Sequence, residues 1–301
     1  MKDRKLIVNK LVVACASFFA FAMVVFPDIT EAGSKTAIII WANSIVPVLL
    51  PFFIFSDFIK RTGDLKKLPP RIYPFVMAFL SGYPMGAKVV GDYIKEERLS
   101  HQEGKWLLSY SMVTGPAFML FTVGEFIGSS KAAVLVAISH YAGGLANGLL
   151  YIGKKEKTPR SRKEAFIPKG DYLENFTYAI VGGFKAMAII LAYLIIFTIG
   201  INLLDKAGLF DAISNKTLCA CIKSFFEMTI GINQMGMCDI GIKFKTVLAS
   251  MMVSFGGMSI VGQSASMARK TGIGIKDIFL MKLTHGMLAA IVAVILVNFV
   301  V

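Results

Sequence analysis

Five stretches of this chain are apolar over about 20 residues each, the length an α-helix needs to cross the hydrocarbon core of a bilayer. They are Leu6–Phe26, Ala37–Phe55, Ala132–Ile152, Ala179–Ile201 and Phe279–Val301. A single soluble core cannot bury so many. Of the 301 residues, 55% are hydrophobic and only 17% are charged. The charged share falls short of the roughly 25% usual in a soluble domain, and the mean hydropathy is +0.66. The expectation is an all-α, polytopic membrane protein.

The net charge of +13 does not point to nucleic acid. The basic residues sit in short loops between apolar runs, where cytoplasmic loops concentrate Lys and Arg, and no basic and aromatic residues interleave on a polar face. Cys15, Cys219, Cys221 and Cys238 lack metal-ligand or C-x-x-C spacing, so they read as free thiols and no metal is expected. The basic start (Lys2, Arg4, Lys5, Lys10) and apolar Leu6–Phe26 resemble a signal peptide, but the run is long and no small-x-small site precedes Pro27. It reads as a retained first helix.

Several apolar segments are interrupted. Ile72–Tyr93 is broken at Ser81-Gly82-Tyr83-Pro84-Met85-Gly86, Trp106–Ile127 at Thr114-Gly115-Pro116, and Val247–Ala268 at Ser254-Phe255-Gly256-Gly257. Thr217–Ile232 is amphipathic, with Lys223 and Glu227 four residues apart, which reads as an interfacial helix carrying an ion pair. Gly82 and Gly256 are 174 residues apart, and the same offset carries Leu6–Phe26 onto Ile180–Gly200 and Pro51–Asp57 onto Phe225–Gly231. This predicts two structural repeats at a 174-residue offset: a first over 1–152 with a re-entrant hairpin at about 72–93, a basic polar linker over 153–174, and a second over 175–301 with a hairpin at about 246–268. Internal repeats of this kind mark secondary transporters.

A break in an apolar helix frees backbone N–H and C=O groups, each costing several kcal/mol if it faces lipid. Such breaks therefore line protein or a cavity, and paired breaks point to a substrate site. The predicted site takes Ser81, Gly82, Tyr83, Pro84, Gly86 and Lys88 from the first break, Thr114, Gly115 and Pro116 from the second, and Ser254, Gly256, Gly257, Ser259 and Gln263 from the third. Free helix N-termini beside Lys88 favour an anion. Blander readings stand beside each: a proline kink with Lys88 reaching the interface, small-residue helix packing at Gly256-Gly257, and a simple kink at Pro116. His140 and His285 read as satisfied core histidines and Glu125 as a helix-end residue. No nucleotide-binding glycine pattern or catalytic triad is present, so neither an enzyme nor a cofactor is expected.

Ser81-Gly82-Tyr83-Pro84-Met85-Gly86-Ala87-Lys88, then Leu99-Ser100, Gly104 and Thr114-Gly115-Pro116, resemble the nucleoside-recognition (Gate) domain family, and within it the sporulation integral membrane proteins of the YlbJ (SpoVV) type. Phe226–Gly231 and Phe255–Ser259 resemble second-half motifs of that group. The resemblance implies a fold related to concentrative nucleoside transporters, with two hairpins meeting near mid-membrane. It also implies dipicolinate movement from the mother cell towards the developing spore, and a place in the cell membrane, the outer forespore membrane in particular. The expected partners are the bilayer, a small anionic or nucleoside-like solute and, as an allowed state, further copies of the chain; nucleic acid is not among them. A non-transporting membrane scaffold or assembly factor of sporulation, or a nucleoside transporter, is the alternative.

Two topologies compete. If every apolar run crosses, charge counting is satisfied but four crossings separate the predicted hairpins, making the halves parallel. If Ala37–Phe58 and Thr217–Ile232 lie at the interface, the halves are inverted, as the family resemblance suggests, at the cost of basic residues outside.

Overall fold

The structure, a computed structural model, describes residues 2–62, 68–69, 71–83, 85–153, 171–268 and 271–300. The expectations on Pro84 and on the linker within 154–170 lie outside them, as do the basic residues Arg269 and Lys270. The described residues are helical, with no strand among them. Among the described residues, five helical stretches are long and apolar enough to cross a membrane: Pro27–Ile59, Ser130–Leu150, Tyr172–Lys206, Ile242–Met267 and Ile275–Phe299.

α1 (Lys2–Val25) ends at Pro27, which opens α2 (Pro27–Ile40), where its missing N–H costs nothing. The helix then continues through a wide π-turn, Trp41–Ile45, into α3 (Val46–Thr62). Prolines 47 and 51 therefore do not end the segment. They deprive two carbonyls of donors, and a π-turn is where a helix absorbs such a defect. A second π-turn, Phe118–Val123, lies against the first, with the Thr122 hydroxyl donating to the Ser44 carbonyl at 2.8 Å. Ala37–Phe58 thus belongs to a longer, continuous helix of spanning length.

α4 (Tyr73–Ser81) and α5 (Met85–Lys95) pack side by side. α6 (His101–Ser111), started by a Ser100–Glu103 capping box, stops before Thr114, and helix resumes from Pro116 into α7 (Gly124–Ile127). α8 (Ser130–Leu150) and α9 (Tyr172–Lys206) are capped by Ser129 and Asp171.

The second half differs from expectation. α10 (Lys216–Phe226) and α11 (Met228–Gly236) are separated by one extended residue, Glu227, and fold back on each other. Only glycine fits at 231, because a Cβ there would lie 2.4 Å from Ser224 Cα. α12 (Ile242–Phe255) and α13 (Gly257–Met267) do not lie side by side. The second hairpin is therefore 216–236, not 246–268, and 242–267 is a discontinuous helix like α6–α7. Nor does Glu227 pair with Lys223, whose ammonium is 3.4 Å from Asp205.

α8, α12 and α14 (Ile275–Val300) make the central bundle. Gly143 lets α8 touch the Ala289 backbone of α14, where a Cβ would come within 2.8 Å. α2 and α3 pack on α9 as a second layer with its own apolar cluster, including Ile45, Phe53, Met187 and Leu194. Outward-facing apolar residues such as Phe18, Leu149 and Phe299 are exposed, as a lipid-facing surface requires.

Candidate functional site

Where the two layers meet, three of the interruptions and the α13 arm of the fourth border one cavity. Its wall includes Ser81, Gly82 and Tyr83 from the first hairpin tip, Thr114 and Gly115 from the break after α6, Glu227, Met228 and Thr229 from the second tip, and Ile260 and Gln263 from α13. Ile45, Phe52, Phe53, Ile190, Tyr193 and Leu194 close it from the second layer. The tips touch the broken helices directly. Gly82, at φ +67°, would place a Cβ 3.2 Å from the Gly115 nitrogen, and Gly257, at φ +75°, one 2.9 Å from the Ser224 carbonyl.

The backbone groups freed by the breaks are satisfied by side chains. The Thr114 N–H donates to His140 Nε2 at 3.0 Å, which leaves the ring proton on Nδ1 to be donated to Ser254 Oγ at 2.8 Å. The Thr114 carbonyl accepts from Tyr141 at 2.9 Å. The Val253 carbonyl accepts from the Tyr83 hydroxyl at 3.0 Å. Lys282, fully buried, donates to the Met112 carbonyl at 3.1 Å and to Tyr83 Oη at 2.7 Å, beside the Tyr83 ring. An amine at the C-terminal end of α6 sits at the negative end of the helix dipole. His285 Nε2–H donates to the His140 carbonyl at 2.8 Å. Both histidines are thus satisfied and structural, in agreement with the sequence expectation.

The inner cavity is small, about 50 Å³, room for a few waters rather than a ligand. It shares walls at Phe53, Ser81, Tyr83, Ile190 and Gln263 with a larger chamber of about 450 Å³. Asp57, Arg61, Lys88 and Lys185 line that chamber. Arg61 is paired with Asp57 at 2.8 Å. Lys88 and Lys185 are exposed, and no ion pair engages either among the described residues. Burial, charge and size therefore give a roomier chamber with a net cationic lining beside a narrow inner pocket whose carboxyl group is Glu227.

Of the residues expected at the site, Ser81, Gly82, Tyr83, Thr114, Gly115 and Gln263 line the inner cavity and Lys88 the chamber. Ser259 lies behind the wall, its hydroxyl 3.5 Å from Glu227 Oε1. Gly86, Pro116, Ser254, Gly256 and Gly257 line neither space. Gly86 and Gly257 serve close helix contacts and Ser254 anchors His140. Lys185, Tyr193 and Lys282 are not among the residues the sequence singles out, and Glu227 is singled out only as the ion-pair partner of Lys223. For Glu227 the sequence signal was its place as a lone acid between Phe226 and Met228.

The chain is similar to the sporulation integral membrane protein YlbJ of Bacillus subtilis (strain 168), with 25% identity over 341 aligned positions that cover 96% of this chain and 83% of that protein. No family model matches the chain, and no solved structure matches it.

Proposed function

On the premise that this chain is a membrane protein of the YlbJ type, which the similarity over nearly its whole length supports, we propose that it is a multi-pass permease for a small organic anion. The observation that carries this reading is the meeting of two hairpin tips and two broken helices in one cavity, reached through a chamber holding the unpaired Lys88 and Lys185. Discontinuous helices at mid-depth are how membrane proteins expose backbone dipoles to a solute, and cations at a concave entrance concentrate anions. Ser81, Thr114 and Gln263 offer neutral hydrogen bonds, and Phe52, Phe53 and Tyr193 offer flat apolar surface. That set suits a planar carboxylate such as dipicolinate, the solute the family resemblance implies, in a sporulating cell's membrane.

The same reading organises the halves. Span, hairpin, broken helix, span is the order of α3 to α8 and again of α9 to α14. His140 and His285, 145 residues apart, meet as counterparts on the two closing helices, their rings tilted by 35° with centroids 4.7 Å apart. With the second hairpin at 216–236, three crossings separate the hairpins (α6–α7, α8 and α9), so the halves are inverted. The ends of α3, α8 and α13 then share a side with the N-terminus, and the sequence following them is the most basic in the chain, which makes that side cytoplasmic. The chamber lies on that side.

The test is dipicolinate flux in proteoliposomes, with nucleosides as competitors. Dipicolinate should cross, and Lys88→Ala with Lys185→Ala should raise its KM about tenfold, less so at high salt, because capture by exposed charge is screened. No flux of dipicolinate or any other small anion would refute the permease reading. Flux of nucleosides alone would favour a neutral solute, a reading to which the carboxylate of Glu227 in the inner pocket lends weight.

A further inference from the structure

An anion led inwards by Lys88 and Lys185 meets a carboxylate. Glu227 is only 5% exposed and borders the inner cavity. An anion that reaches the wall shared by chamber and cavity, at Ser81, Tyr83 and Gln263, approaches that carboxylate, and like charges repel strongly where little water screens them. Either the anion stops in the chamber or one negative charge is neutralised. From this geometry we propose that Glu227 is a proton-binding site of the permease, and that the anion passes the second hairpin tip together with a proton held there. The proposal rests on the anion-permease reading above.

The hydrogen bonds around the carboxyl suit both states. Oε2 accepts the Ile230 N–H at 2.9 Å, a backbone bond that caps α11 and cannot reverse. Oε1 faces the Thr229 hydroxyl at 3.2 Å and the Ser259 hydroxyl at 3.5 Å. A hydroxyl donates to a carboxylate and, after rotation, accepts from a carboxylic acid. A proton arriving through water in the cavity thus forms an O–H bond at Oε1 and is held without disturbing the helix cap. Release reverses the rotation and returns the proton to water. Across the same cavity, Gln263 is 5% exposed and its Oε1 makes no hydrogen bond within the protein, so the wall presents an acceptor for a proton-bearing group.

No cation on the surrounding elements takes this role from the proton. Lys223 on α10 is held by Asp205 of α9, and Lys245 of α12 donates to the Gly236 carbonyl at the far end of α11. Lys206, Lys216 and Lys243 are exposed at helix ends, as is Glu125 on α7. Tyr83 and Tyr193 face the cavity, and Cys219, Cys221 and Cys238 are half-buried on the hairpin and just beyond it. No ion pair reaches Glu227 among the described residues.

The experiment uses full-length protein in vesicles loaded with a pH-reporting dye, with dipicolinate added outside above the pH at which its own carboxyls titrate. The expected result is acidification of the lumen in step with dipicolinate entry, and dipicolinate binding that tightens as pH falls, by up to about tenfold per pH unit for one linked proton. In Glu227→Gln the protons moved per dipicolinate should drop to background and the pH dependence should flatten. If that variant does not fold, judged by size-exclusion profile and melting, Glu227→Asp keeps a titrating carboxyl and should keep the proton signal with a displaced pH midpoint. Dipicolinate entry into wild-type vesicles without acidification overturns the coupling and leaves the permease reading standing. So does a Glu227→Gln variant with an undiminished proton ratio. Absence of flux for every anion overturns both.

Discussion

Single residues here are chosen by the backbone groups that the breaks leave over. Thr114 cannot complete a helical bond on either side, and His140 and Tyr141 on α8 take its N–H and carbonyl. Lys282 does the same for Met112. This explains a buried amine with no carboxylate beside it: its partners are a helix-end carbonyl and a phenol. Lys282→Met keeps the apolar stem but strands the Met112 carbonyl and leaves the Tyr83 hydroxyl with only its bond to the Val253 carbonyl. An unmade buried hydrogen bond costs about 1–3 kcal/mol, so the melting temperature in detergent should fall by several degrees. A melt unchanged from wild type would show that the Lys282 contacts contribute nothing. Because Tyr83 forms part of the first hairpin tip, flux should drop as well.

At the level of elements, the two hairpins and two broken helices depend on glycines placed at contacts. A Cβ at Gly86 would lie 1.9 Å from the Ser111 carbonyl oxygen, a backbone atom that cannot step aside without moving the end of α6. Gly86→Ala should destabilise by about 3 kcal/mol or prevent folding, as overpacking against backbone does. Gly257→Ala combines a positive φ with crowding from Ser224 and Phe226 and should cost a similar amount. Gly241 has nothing within 4 Å of a Cβ, so Gly241→Ala should stay within about 0.5 kcal/mol of wild type. Thermal melts of the three variants, read against expression in membranes, check the ranking.

In the reading proposed above the whole molecule is an arrangement of halves, and its topology follows from which segment is the second hairpin. With 216–236 as that hairpin, inverted halves and a basic cytoplasmic face are compatible. The sequence reading, with the hairpin at 246–268, had set them against each other. In a background lacking the four native cysteines, a cysteine at Gly274 should react with an impermeant reagent from the cytoplasmic side, as should one at Glu97. Cysteines at Asp211 and Asp239 should react only from the opposite side. Labelling of Glu97 and Gly274 from opposite sides would break the inverted arrangement, because His101 and Thr271, beside them, share a 2.9 Å hydrogen bond.

The sequence by itself determined the environment, the helical class, the breaks at Gly82, Gly115 and Gly256, and six inner-cavity residues, because each of these follows from local chemistry. Apolar length sets membrane crossing, and Gly and Pro set where a helix fails. It did not reveal the break at Glu227, since Phe226-Glu227-Met228 has neither glycine nor proline and its 3.6-residue period runs on unbroken. It also paired Lys223 with Glu227, because four-residue spacing brings side chains together only if the helix continues. Tertiary structure decided both matters. Gly231 lets α11 fold onto Ser224 of α10, and Ser259 supplies a hydroxyl beside the Glu227 carboxyl. A helix can stop in its middle when distant segments satisfy what the stop exposes, and no local pattern encodes where those segments are.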